Sequence, residues 1–241
     1  MIIDGTVSQI TIGNVFLKRI LISISICLLC QSGFVHAEIS QKKWRFGIFG
    51  GVQEAPPSRV NTFADNGTAL NFDADWEGKS LSMPPYYSIR TSYWDSTASA
   101  WEIDFTHSKV YAKSSTLTDN SLDHLEFTDG INILSLSRVW QLAGIKRDNS
   151  YLPYVGLGGG VSLPYVEIIK SSNPVIARTM EYQFGGFSGQ AQAGLRLPIN
   201  SNINAVFEYK ITFIALDVET AASRSLKTNL VTNAINIGIE F

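Results

Sequence analysis

From Trp44 onward the chain alternates apolar and polar residues with a period of two. Trp44, Phe46 and Ile48 alternate with Arg45 and Gly47. Tyr87, Ile89 and Tyr93 alternate with Ser88, Arg90 and Ser92. Trp101, Ile103 and Phe105 alternate with Glu102, Asp104 and Thr106, and Leu134 and Leu136 with Ser135 and Ser137. Val155, Leu157, Val161 and Leu163 are interleaved with glycines and Ser162. Phe187, Ala191, Ala193 and Leu195 share one face, opposite Ser188, Gln190, Gln192 and Arg196. Ala205, Phe207, Tyr209, Ile211 and Phe213 face away from Val206, Glu208, Lys210 and Thr212. Ile235, Ile237, Ile239 and Phe241 face away from Asn236, Gly238 and Glu240. Side chains point to opposite faces of a strand in turn, so each segment is a strand with one apolar face.

Eight strands is an even number, and the connections between them alternate in length. Short ones fall near 95–98, 141–150 and 198–202; long ones near 53–82, 112–128, 169–182 and 215–227. That asymmetry predicts an all-β fold. It is an eight-stranded antiparallel transmembrane β-barrel with short periplasmic turns and long extracellular loops. Past residue 37 no run of 18 apolar residues occurs, which excludes helical spans. Trp44, Trp94, Trp101, Trp140 and Phe241 lie at strand ends, where an interfacial girdle belongs. A soluble lipocalin-like barrel would turn its apolar face inward. Charge placement argues against that. The polar faces carry Arg45, Arg90, Arg196 and Lys210 against Glu102, Asp104, Glu208 and Glu240, four of each sign. A barrel of this size is just wide enough for side chains to fill, so paired charges would plug it and a wide pore is excluded. Glu208 or Asp104 is expected to contact Arg90, Arg196 or Lys210. The Gly-rich run at 156–160 relieves crowding or allows a bend. No helix is expected to follow it, so it is not a phosphate loop.

The chain has 241 residues and a formal net charge of −2, without a Lys/Arg-rich run. Nucleic acid is therefore excluded as a partner. Lys18-Arg19, the apolar run Ile20–Cys30 and Val35-His36-Ala37 form a basic region, a short hydrophobic region and a cleavage site. Residues 1–37 read as a signal peptide and 38–241 as the barrel, exported to the cell outer membrane. An uncleaved anchor is disfavoured because the run is short of about 20 apolar residues. A lipoprotein is disfavoured because Leu29 stands where a small residue is needed. The only cysteines, Cys27 and Cys30, leave with the leader, so neither a disulfide framework nor a Cys-rich zinc site remains. The terminal aromatic Phe241, preceded by three alternating isoleucines, predicts recognition by the barrel-assembly machinery.

Two histidines follow the leader, His107 and His124. His107 and Lys109 continue the outward parity of Phe105. Glu167 continues that of Leu163, Gln183 that of Phe187, and Asn132 that of Leu134. Polar groups thus gather on the outside of strands three to six at outer-leaflet height. A headgroup-level fringe is one reading. A site for the head of an outer-leaflet lipid is the other. There His107 and Glu167 are the candidate catalytic residues and ligands for a divalent metal, and Lys109 and Asn132 are the substrate-binding groups. Ser108 next to His107 is not a nucleophile–base pair, because adjacent strand residues face opposite sides.

Phe105-Thr106-His107-Ser108-Lys109-Val110-Tyr111-Ala112 resembles a segment of the lipid A oxidase-like family of small outer-membrane barrels. Leu125–Asn132, Pro153–Gly160, Pro164–Glu167, Phe207–Lys210 and Thr232–Asn236 are similar to the strands that follow, so the likeness covers roughly 100–241. The resemblance implies O2-dependent oxidation of the proximal glucosamine of lipid A to aminogluconate, with a divalent metal ion as candidate cofactor. It implies outer-membrane lipids, lipid A among them, as partners. One departure stands out: Tyr165 occupies a position where the family tends to carry His. Against the enzyme stand two alternatives, a non-enzymatic OmpA-like surface-binding barrel and a small channel.

Overall fold

The computed structural model describes residues 44–63, 67–142, 151–170, 179–220 and 224–241. Residues 1–37, expected to be a leader and holding Cys27 and Cys30, lie outside them. Eight long strands form an antiparallel ring: β1 (Trp44–Glu54), β5 (Tyr87–Trp94), β6 (Ser99–Ala112), β7 (Leu122–Gln141), β8 (Leu152–Lys170), β10 (Gly186–Pro198), β11 (Asn204–Thr220) and β12 (Arg224–Glu240). β12 closes the ring on β1, in register from Gly47↔Glu240 to Glu54↔Asn233. Phe46 and Phe241 exchange two backbone hydrogen bonds of 2.8 Å at the seam. Each ring strand therefore has a neighbour on both sides, which a hydrocarbon solvent demands.

The apolar parity faces outward. Ile48, Ile103, Leu157, Phe207 and Ile237 are all half exposed, in a belt that runs around the barrel. On β1 the belt reaches from Trp44 to Val52, about 26 Å along the strand and about 20 Å vertically at a tilt of about 40°. The fold is an eight-stranded transmembrane β-barrel.

Inside the belt the lumen holds all eight charges, each buried. Arg90 is the hub. Its two terminal nitrogens each donate to a Glu208 oxygen at 2.6 Å, and its Nε donates to Asp104 at 2.9 Å. Lys210 donates to Asp104 at 3.1 Å and to Thr106 at 2.7 Å. Gln192 caps Glu102 at 2.7 Å, and the Tyr154 hydroxyl donates to Glu208 at 2.7 Å. Nearer the turn end, Arg45 and Arg196 both donate to Glu240 at 3.0 Å. The lumen is thus closed by paired charges. Gly158 and Gly160 point into this crowd, where a Cβ would collide with β7 at Ser137 Oγ and the Leu134 carbonyl.

The loop end differs from the sequence expectation. Most described residues of 112–128 and 215–227 are not loop: β7 begins at Leu122, β11 runs to Thr220 and β12 starts at Arg224. A six-residue helix, α1 (Ser114–Asp119), bridges β6 and β7. The 53–82 stretch holds β2 (Ser58–Phe63), β3 (Ala69–Ala74) and β4 (Trp76–Glu77). β2 adds to β12, β3 to β2 and β4 to β6, so these short strands extend the wall above the ends of β1 and β5. β9 (Thr179–Tyr182) does the same beside β8.

The reason is an inversion of phase. In β11, Phe207, Tyr209, Ile211 and Phe213 face outward, but Ile214, Leu216 and Val218 are buried inward. In β12, Ile235, Ile237 and Ile239 face outward and Leu226 and Leu230 inward. With Val60, Trp76, Phe127 and Ile168 they form an apolar core inside the loop-end extension. Below the switch the barrel is polar inside and apolar outside; above it the order is reversed.

Candidate functional site

The outer wall of β6, β7 and β8 carries a polar patch just above this switch. Three strands supply it, and their pairing is irregular there. β6 and β7 slip register between Ser108 and Val110, and β7 bulges between Glu126 and Ile131. Gly130 sits in that bulge at φ +91, a conformation glycine adopts readily. A Cβ there would strike the His107 ring, so only glycine lets the bulge lie over the imidazole.

His107 keeps its outward parity but is enclosed, at 5% exposure. The Tyr87 ring stacks on it at 5.2 Å. Its Nδ1 donates to Asn132 Oδ1 at 2.9 Å, across the β6–β7 pair. That leaves Nε2 as a buried acceptor with no hydrogen-bond partner among the described residues. Ser108 points the other way and donates to Gln53 at 2.7 Å.

Lys109 is fully buried at the register slip. Its ammonium donates to the Ser82 carbonyl at 3.1 Å and lies 5.2 Å from the Tyr111 ring centre. Its placement corrects the expectation of a headgroup contact: Lys109 pins the segment before β5 onto β6. Lys79, 4.6 Å from the same ring and 2.8 Å from Glu77, is the more exposed cation there.

Glu167 stands four residues higher on the wall, in one cross-strand row with Tyr111, Glu126 and Met180. The row of His107 and Asn132 is roughly 13 Å below along β6. His107 and Glu167 therefore do not converge on one metal, which corrects that pairing. Glu167 gathers instead with Glu126 and His124. His124 Nε2 is 2.9 Å from Glu126 Oε1 and 3.9 Å from Glu167 Oε1, and one ligand atom from each residue lies within 4.8 Å of the others. Burial pushes the Glu126 carboxyl above its ordinary range and the Glu167 charge adds to this, against the hydrogen bond from His124. Sequence reasoning missed His124 and Glu126 because it left 112–128 as loop. The signal was there: Leu125 and Phe127 alternate with His124 and Glu126 in the inverted phase.

Below the row, Asn132 and Leu163 pair across β7 and β8 and floor an open groove of about 480 Å³. Tyr182, Gln183 and Phe184 complete its walls. Gln183 is fixed to β11 by two bonds to the Glu219 backbone, 2.9 and 2.6 Å. Tyr165, two residues below Glu167, packs edge-on against Tyr182 at 4.9 Å.

No known family matches the chain, and no curated protein matches it in sequence. Solved structures with a similar course include Neisserial surface protein A, 10% identical over 83% of this chain and 96% of that one at a TM-score of 0.47. The outer membrane protein OprG from Pseudomonas aeruginosa is 16% identical over 85% and 99%, at 0.49. The outer membrane protein AlkL, solved in DMPC lipid bilayers, is 14% identical over 85% and 92%, at 0.48.

Proposed function

We propose that this protein is an outer-membrane barrel that engages the head of an outer-leaflet lipid on its outer wall, not through its lumen. One observation carries the reading. A cluster of ionisable groups, His124, Glu126 and Glu167, stands on the outside of β7 and β8 directly above a groove walled by Leu163, Tyr182 and Phe184. Polar above apolar, facing lipid, is the profile of a single-chain or glycolipid amphiphile. The charge-packed lumen offers no comparable path, which argues against the channel reading.

The finer reading takes the resemblance at Phe105–Ala112 and makes lipid A the substrate. The reaction is then a two-electron oxidation of the C1 hemiacetal of the proximal glucosamine to the lactone, in which O2 takes the C1 hydrogen, the hydroxyl proton and the two electrons and leaves as H2O2, and water then opens the lactone to aminogluconate. In that reading the Glu126 carboxylate, whose burial raises it above its ordinary range and so strengthens it as a base, accepts a proton from the sugar hydroxyl, and Glu167 and His124 position the ring oxygens. His107 and Asn132 shape the lower rim, with Asn132 reaching the groove. Export by the leader at 1–37 and insertion by the barrel-assembly machinery belong to the same proposal. The non-enzymatic reading has an observation of its own: Tyr165, where the resembling family tends to carry His, is packed against Tyr182.

The test is mass analysis of lipid A from cells with and without the protein. The enzyme reading predicts a species heavier by one oxygen and lost with Glu126→Gln and Glu167→Gln at normal barrel levels. Conversion that persists in both variants removes this site. If wild type converts nothing, the barrel binds lipid without changing it, and loss of lipid A co-purification in the same variants is then the expected result.

A further inference from the structure

We propose that the strap at residues 79–85, which leads into β5, is seated in the outer leaflet, with Leu81 and Met83 among lipid acyl chains and Lys79 at headgroup level. β5 begins at Tyr87, opposite Gly50 of β1 and His107 of β6, whereas β1 continues to Glu54 and β6 to Ala112. The strap lies between these two longer strands. On the β1 side the Gln53 backbone N–H donates to Ser80 Oγ at 2.8 Å, and that hydroxyl donates to the Gln53 carbonyl at 3.3 Å. On the β6 side the Lys109 ammonium donates to the Ser82 carbonyl at 3.1 Å, and Lys79 Nζ lies 4.6 Å from the Tyr111 ring centre. The strap is also tied to itself. The Ser82 N–H donates to the Lys79 carbonyl at 2.9 Å and the Tyr86 N–H to the Ser80 carbonyl at 2.8 Å.

This pinned segment holds apolar side chains out. Leu81 is 82% exposed and Met83 85%, more than any other large apolar side chain among the described residues. Pro84 is exposed beside them. The polar groups lie underneath. His107 and Lys109 carry the outward parity of β6, yet both are buried, and so is Tyr111. A lysine within and a leucine and a methionine without reverse the order that water imposes. It is the order of the belt, where Ile48 and Ile103 face out and Arg90 and Asp104 face in. The strap also continues that belt. Val52, the top belt residue of β1, adjoins Gln53, to which Ser80 is tied. Ile89 and Tyr87 lead up the same face of β5 to the strap. Lys79 stands higher: its ring partner Tyr111 belongs to the cross-strand row of Glu126 and Glu167, and its ammonium is 2.8 Å from Glu77. A long-stemmed cation above two apolar side chains suits the phosphate level of a leaflet. On this side of the barrel the hydrocarbon boundary then falls between Leu81 and Lys79.

Residues 38–241 contain no cysteine, so single cysteines at 79, 81 and 83 can each take a spin label in the full barrel in phosphatidylcholine vesicles. Labels at 81 and 83 should collide mainly with O2, as at belt position 237, whereas one at 119 on exposed α1 should collide mainly with a water-soluble nickel chelate. A label at 79 should meet the chelate more often than one at 81. Chelate-dominated collision at 81 or 83, or the reverse order at 79 and 81, would overturn the seating. Labels at 81 and 83 shielded from both reagents would overturn it too, since protein rather than lipid would then cover the strap. A second measurement needs no label. Leu81→Asp combined with Met83→Asp should lower the urea midpoint of unfolding in the same vesicles, with heat-modifiable gel mobility showing that the variant folds; an unchanged or raised midpoint contradicts the proposal. The vesicles hold no lipid A, so the result is independent of the proposed chemistry, and a silent lipid A assay leaves it intact.

Discussion

The two ends of β11 belong to different worlds. Between Phe207 and Phe213 the strand shows rings and aliphatics to the outside and Glu208, Lys210 and Thr212 to the lumen. Four residues later it shows Asp217 and Glu219 to the outside and Leu216 and Val218 to the interior. The backbone continues unbroken, paired with β12 from Asn204 to Thr220. Only the solvent changes. In lipid, the outer wall must be apolar and the enclosed polar groups must satisfy one another. In water, the same wall gains by hiding its apolar face within. The residue at which the phase inverts is therefore a depth marker, and the polar patch of β6–β8 sits on its watery side.

The comparison breaks hardest in the lumen. Glu208→Ala leaves the guanidinium of Arg90 with Asp104 and, at 3.6 Å, Glu102, and strips partners from Tyr154 and Asn236. Unfolding in detergent or bilayer should show a loss of about 3–5 kcal/mol. Asp119→Ala, on exposed α1, should be neutral.

The upper core obeys soluble-protein rules, so Leu216→Ala should lose about 2–5 kcal/mol through its cavity. The two losses separate by region: hydrogen exchange should show local opening of the loop-end extension in Leu216→Ala, with the belt strands still protected.

An outward charge reads the boundary directly. Ile237→Arg, in the belt of β12, should cost about 2–4 kcal/mol, and Asn229→Arg, on the same face higher up, about 0–1 kcal/mol. Equal costs would contradict the inversion.

The smallest effect lies at the turn end. Arg138 donates to Asp95 at 2.6 and 3.1 Å and holds its carboxyl below the ordinary value. A lowered carboxylate contributes stability above its unfolded value near 3.8 that is lost as pH falls through the folded one. Asp95→Asn should change stability by less than about 1 kcal/mol at pH 7, since the pair is solvent-exposed, and the difference should fade as pH falls below the ordinary carboxylate range.

Much of the barrel was legible because lipid enforces one parity over each strand. Ile48, Ile103, Leu134, Phe207 and Ile237 declared the outer face from sequence alone. The loop-end extension was hidden for the same reason. Leu216, Val218, Leu226 and Leu230 alternate just as regularly, but against the phase of Phe213 and Ile235, so a search for one continuous apolar face ends where the solvent changes. The site suffered with it. His107, Asn132 and Glu167 lie on or next to the belt strands and could be placed on the outer wall. Their partners could not. His124 and Glu126 lie beyond the inversion, and the bulge at Gly130, which shifts the register of β7, has no local sequence signal beyond the glycine itself.

The most direct test is a spin-label scan along the outer face of β11 in a bilayer. The barrel residues contain no cysteine, so single cysteines at 207, 211, 213, 217 and 219 can be labelled cleanly. Collision with O2 reports hydrocarbon and collision with a water-soluble nickel chelate reports water. The account predicts O2-dominated sites at 207, 211 and 213 and nickel-dominated sites at 217 and 219, with the crossover between Phe213 and Asp217. Water access at all five positions, or hydrocarbon at all five, would contradict it.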